Sequence, residues 1–117
     1  MWMKMIREMN KNEFMRAWRG YHNAQEMFDM NYFRECLLEL KPAISLLEKY
    51  ESQTRFLAKA YYLKSQAFSK LNKLKDQKKF LLEALRVLEK IDDETELKDS
   101  ILKDLQSMEA ASHKKPV

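Results

Sequence analysis

An all-α chain, folded as a short array of antiparallel helical hairpins with a C-terminal capping helix, is what this sequence predicts. Apolar residues recur at steps of three and four through most of its length, the spacing that gathers side chains on one side of a helix. One Gly and two Pro among 117 residues leave few places for a helix to break, and 45% hydrophobic with 34% charged residues suits one domain with a modest core. Predicted helices separated by only a few residues must fold back on one another. The domain is expected over 1–111, with 112–117 as a flexible basic tail.

The first ten residues hold Trp2, Met5, Ile6 and Met9 beside Lys4 and Arg7. They either brace the first helix, form an apolar interface for a partner or a second copy, or anchor at a membrane surface; the brace is preferred, because so short an apolar face anchors weakly. A helix follows over 12–29, with Phe14, Ala17, Trp18, Tyr21, Ala24 and Phe28 on one side and Arg16, Arg19, Asn23 and Glu26 on the other. Its one-sided pattern fits the edge of an array. Gly20 in its middle costs about 1 kcal/mol relative to Ala and marks a candidate close helix approach.

After a turn at 29–31, Phe33, Leu37, Leu40, Ile44 and Leu47 form an apolar seam with Cys36, Ala43 and Tyr50 beside it. Pro42 predicts a kink or break near 40–41. The seam is too short to argue for a coiled-coil partner, so an intramolecular contact is preferred. Cys36, the sole cysteine, is read as a small core residue.

Residues 52–91 read as one αα-hairpin. Its first helix carries a wide apolar stripe, Phe56, Leu57, Ala60, Tyr61, Leu63, Ala67, Phe68 and Leu71, as befits an interior helix. Ser52 or Thr54 can cap its start, and Asn72 can leave it through a left-handed conformation. The second helix is expected from about 76, with Phe80, Leu81, Ala84, Leu85, Val87, Leu88 and Ile91 on one face. The acidic run 92–96 then starts a last helix, Asp93 capping and Glu96 reaching back, whose stripe of Leu97, Ile101, Leu102, Leu105 and Met108 covers the array.

Displaced by 41 residues, the chain matches itself: Ala17 falls on Ala58, Tyr21 on Tyr62, Gln25 on Gln66, Asn31 on Asn72, Leu40 on Leu81, Ala43 on Ala84 and Leu47 on Leu88. A period of this size belongs to stacked helical hairpins. Over residues 14–91 the chain resembles the tetratricopeptide (TPR) family. Tyr61, Ser65, Phe68, Leu81 and Ala84 stand at spacings like the family's large and small positions, as do Ala24, Met27, Cys36, Leu40 and Ala43. Gln77 stands where a small residue is usual, Gly20 replaces a large aromatic, and the period exceeds the family's 34. The resemblance implies a TPR-like interaction module that takes a peptide or helix in a groove lined by the first helix of each hairpin. Carried over residue by residue, that groove comprises Tyr21, Gln25, Lys59, Tyr62, Gln66, Ser69 and Lys70. The family's clamp for chaperone tails is not implied, since Tyr62 and Gln66 stand where two of its Lys and Asn residues belong.

The net charge is +4, yet Lys64, Lys70, Lys73, Lys75, Lys78 and Lys79 crowd around one connection. Lys73, Lys75, Lys78 and Lys79 are a candidate anion-binding set, most simply a solvated turn. Three functional classes follow: a protein–protein adaptor or scaffold binding an acidic or amphipathic peptide or helix, which leads; a self-associating structural subunit; and a nucleic-acid-binding accessory protein using the Lys-rich loop 70–79, the least favoured of the three. Neither His has a nucleophile or carboxylate partner fixed by local spacing, and there is no Gly-rich phosphate loop. No enzymatic activity, catalytic residue, cofactor or metal is therefore expected. With no run of about 20 apolar residues and no signal-peptide layout, an intracellular, soluble protein is the expectation.

Overall fold

The computed structural model describes residues 9–50, 54–91 and 95–113, with side chains through Ala111. Among them five helices follow one another: α1 (Lys11–Asp29), α2 (Phe33–Leu47), α3 (Thr54–Lys70), α4 (Leu74–Lys90) and α5 (Glu96–His113). Each packs on the next, α1 on α2 and α3 on α4 as hairpins, α2 on α3 joining them, and α5 on α4. This is the all-α array of hairpins that the periodicity predicts.

The two hairpin turns have one design. Asn31 has φ 67° and Asn72 has φ 59°, the left-handed conformation that Asn tolerates better than most residues. Each turn carries the two bonds of a Schellman motif. In the first, the Tyr32 N–H donates to the Met27 carbonyl (2.8 Å) and Asn31 to Phe28 (3.0 Å). In the second, Lys73 donates to Phe68 (2.9 Å) and Asn72 to Ser69 (3.1 Å). These are the positions that the 41-residue displacement superposes, so the sequence match and the turn geometry share one register.

The core runs continuously through the array. Ala17 and Ala24 of α1, Cys36, Leu40 and Leu47 of α2, Ala58 and Ala67 of α3, and Leu81, Ala84 and Leu88 of α4 are wholly buried, and Ile101 brings α5 into the same cluster. The buried residues of α1 are both alanine, whereas α2, α3 and α4 each bury large side chains as well as small ones. At Gly20 a Cβ would stand 3.2 Å from that of Ala43 and 3.4 Å from the Glu39 carbonyl oxygen, so α1 and α2 pack closely there. As expected of an edge helix, α1 buries little beyond Ala17 and Ala24, whereas α3 also buries Ala60, Tyr61, Leu63 and Ser65.

Several local expectations change. α2 runs unbroken through Pro42. Pro42 and Leu38, whose carbonyl the ring deprives of its donor, are both exposed, so water can take the missing partner's place and no break at 40–41 is required. α1 begins at a capping box not anticipated: the Glu13 N–H donates to Asn10 Oδ1 (2.8 Å) and the Asn10 N–H to Glu13 Oε1 (3.3 Å). α4 starts at Leu74, two residues before the expected Asp76. The expected caps Asp93 and Ser52 lie outside the described residues; the first turn of α5 donates to the Thr95 carbonyl. α5 extends to His113, two residues into the predicted tail; 114–117 lie outside the described residues.

Candidate functional site

Where α5 leaves the surface of α4, a cleft of about 1160 Å³ opens between them and the end of α3. α3 contributes Gln66, Ser69 and Lys70; α4 contributes Leu74, Lys75, Gln77, Lys78 and Leu82; α5 contributes Asp104, Leu105, Met108 and Glu109; Phe28 reaches in from the end of α1. Leu74 and Leu82 are exposed large apolar side chains, and Phe28, Leu105 and Met108 are half-buried against the core. The cleft therefore has an apolar lining between a cationic α3–α4 edge and an acidic α5 edge.

Of the predicted groove, the structure gathers Gln66, Ser69 and Lys70 here. Tyr62 stands beside the cleft, and its hydroxyl donates to Asp104 Oδ2 (3.0 Å), tying α3 to α5. Burial first and that bond second push the Tyr62 phenol up to about 12, so it remains a neutral donor. Tyr21, Gln25 and Lys59 do not line the cleft. Tyr21 meets the Phe56 ring edge-on at 5.4 Å and helps seat α1 on α3, Gln25 donates to Asp29 (3.1 Å) within α1, and Lys59 is exposed on α3. The lining residues that sequence reasoning missed are Phe28, Leu74, Gln77 and Leu82 and those of α5, whose stripe gave its apolar face but not its neighbour.

The candidate anion-binding lysines are divided. Lys75 and Lys78 line the cleft, whereas Lys73 and Lys79 line depressions on another face. Of the candidate apolar interface, Met9 packs against the core as a brace, and Trp2, Met5 and Ile6 lie outside the described residues.

Elsewhere, two more tyrosines clip helices together. Tyr50 donates to Glu13, joining the end of α2 to the start of α1, and Tyr61 donates to Glu48 (2.7 Å). Burial, followed by the Glu48 bond, raises the Tyr61 phenol far above its ordinary value. Cys36 is fully buried, and burial pushes its thiol up to about 11, which keeps it protonated and poorly nucleophilic. His22 is exposed and packs between Trp18 (4.0 Å) and Tyr21 (5.6 Å). Among the described residues no group of three or more His, Cys, Asp and Glu is placed to hold a metal ion, and no helix is long and apolar enough to cross a membrane. What the cleft offers chemically is burial of apolar side chains and pairing of charges at its two edges. No protein-family model, curated protein or solved structure matches the chain.

Proposed function

We propose that this chain is a non-enzymatic protein–protein interaction module, a short TPR-like array whose cleft takes an amphipathic peptide or helix. The single observation that carries the reading is the cleft itself: an apolar lining set between Lys70, Lys75 and Lys78 on one edge and Asp104 and Glu109 on the other. A segment with an apolar face and acidic residues along one side satisfies the lysine edge while burying Leu74, Leu82 and Met108. The paired Asn turns in a 41-residue register support the repeat character of the scaffold.

The experiment is selection of a random peptide library on the full chain, followed by fluorescence anisotropy of an enriched peptide against Lys70→Glu/Lys75→Glu and Leu82→Asp variants. Weakening of about 10-fold or more in both is expected, the typical loss when a central apolar anchor or a charged edge is removed. Unchanged affinity in both variants would refute the assignment to the cleft. Self-association is a second reading, favoured by Met15 and Trp18, which α1 leaves 41% and 44% exposed. A solution mass independent of concentration would eliminate it.

A further inference from the structure

Besides its core face, α2 has a second one. Arg34, Leu37, Leu38 and Lys41 follow one another at steps of three, one and three along it, and Ser45 and Glu48 continue the row. Two depressions of about 740 and 400 Å³ lie along that row and share Lys41 and Lys64, so together they form one groove with α2 as one wall, α3 beneath, and the α3–α4 turn at one end and α4 at the other as the second wall. No residue lines both this groove and the cleft.

The groove is chemically graded. At one end, Arg34, Lys41, Lys64 and Lys73 surround Leu37, Leu38 and Leu71, and no carboxylate lines this part. Leu38 is 71% exposed, the most exposed large apolar side chain among the described residues. At the other end the carboxylates already have partners: Glu48 accepts from Tyr61, and Glu83 is paired with Arg86 at 2.7 Å.

Lys64 joins the two ends. Its ammonium lies 4.1 Å from the centroid of the Phe80 ring, and the ammonium of Lys79 lies 5.4 Å from the same ring. Lys64 is half-buried, which disfavours its charge, and Lys79 and Lys41 disfavour it further; Glu48 and Asp76 act in the opposite sense. Cations are thus held close together on a partly dry surface. An incoming carboxylate relieves that repulsion, whereas a neutral ligand does not.

The geometry points to a docking site for an acidic amphipathic helix of a partner protein, lying along α2 with its carboxylates at the Arg34–Lys73 end and an apolar side chain on Leu38. Charge complementarity selects acid. The three leucines select a peptide over a nucleic acid or a free phosphate, which would leave Leu38 bare. The row from position 34 to 48 is about 21 Å long at the helical rise of about 1.5 Å per residue, enough for a helix of about four turns.

The probe is a fluorescein-labelled synthetic helix of about 15 residues, with Glu at every fourth position on one side and Leu on the adjoining face. It is titrated with the full chain by anisotropy at about 50 and 300 mM salt. In the Leu82→Asp background, which disables the cleft, Lys41→Glu/Lys73→Glu and, separately, Leu38→Ser are each expected to weaken binding by about 10-fold or more, while Lys90→Glu/Lys103→Glu, of equal charge change but lining neither the groove nor the cleft, alters it less than about twofold. All the substituted sites are exposed, circular dichroism checks the fold, and Lys41→Gln/Lys73→Gln repeats the test without charge reversal. Equal weakening by the two lysine pairs would make the effect one of net charge and overturn the site. Competition by a single-stranded oligonucleotide as strong as by the unlabelled peptide would identify a polyanion surface instead, and a dimer abolished by Lys41→Glu/Lys73→Glu would put a second copy in the groove. An absence of saturable binding by the unsubstituted chain also overturns it.

Discussion

Gly20→Ala puts a methyl group where α1 and α2 pack closely, and the structure supplies both sides of the balance. Alanine favours a helix interior over glycine by about 1 kcal/mol, so a loosely packed site would gain stability. Here the new Cβ stands 3.2 Å from the Ala43 Cβ, inside the ordinary contact distance, and 3.4 Å from the Glu39 carbonyl oxygen, at its lower limit. Neither neighbour is the end of a flexible side chain; both belong to the α2 backbone or its first side-chain atom, so the helix itself must shift. Overpacking of this kind costs roughly 1–3 kcal/mol, which leaves a net destabilisation of about 1 kcal/mol and lowers Tm by about 3–5 °C for a domain of this size. The assay is thermal unfolding followed by circular dichroism over the cycle Gly20→Ala, Ala43→Gly and the double variant. With Ala43 reduced to Gly, the substitution at 20 should turn stabilising by about 1 kcal/mol, giving a coupling of about 2 kcal/mol between the sites. Stabilisation by Gly20→Ala in both backgrounds, with no coupling, would refute the close approach.

Two further expectations concern groups whose ionisation the fold suppresses. Tyr62 has its phenol raised to about 12, above the value of about 10 of an unfolded chain, so its contribution to stability is complete below about pH 10 and is lost as the pH rises toward 12. Asp104→Ala should bring the Tyr62 titration, read by phenolate absorbance, down toward 10, and Tyr62→Phe should cost about 1 kcal/mol and speed amide exchange in α5. An unmoved titration would mean that the bond does not form. Cys36, buried with its thiol pushed up to about 11, should react with Ellman's reagent near neutral pH only as fast as the chain unfolds, and rapid full reaction of the native chain would contradict its burial.

What could be read from the sequence follows the reach of each signal. Helix periodicity and the Asn turns are local, and they located the hairpins and the left-handed Asn72 correctly. The box formed by Asn10 and Glu13 was equally local and legible, but the apolar pattern drew attention past it. Pro42 misled because its local penalty depends on whether the deprived carbonyl can reach water, which tertiary structure decides. The lysine cluster divides for a related reason: successive residues of a helix stand about 100° apart, so Lys78 and Lys79, adjacent in sequence, line different depressions. The α5 side of the cleft was invisible because a stripe states that a helix is covered, not by what. Likewise Arg34 and Lys41 look like ordinary solvated charges until α3 and α4 bring Lys64, Lys73 and Phe80 beside them.

The linear order of packing has a mechanical consequence. α3 is gripped on both sides, by α2 and α4, whereas α5 rests on α4 at the end of the row and is clipped to α3 through Tyr62. Stiffness therefore falls from the middle of the molecule to its end. The wall that α5 gives the cleft is thus held by fewer neighbours than the floor that α3 gives the groove, and moving the first leaves the second undisturbed.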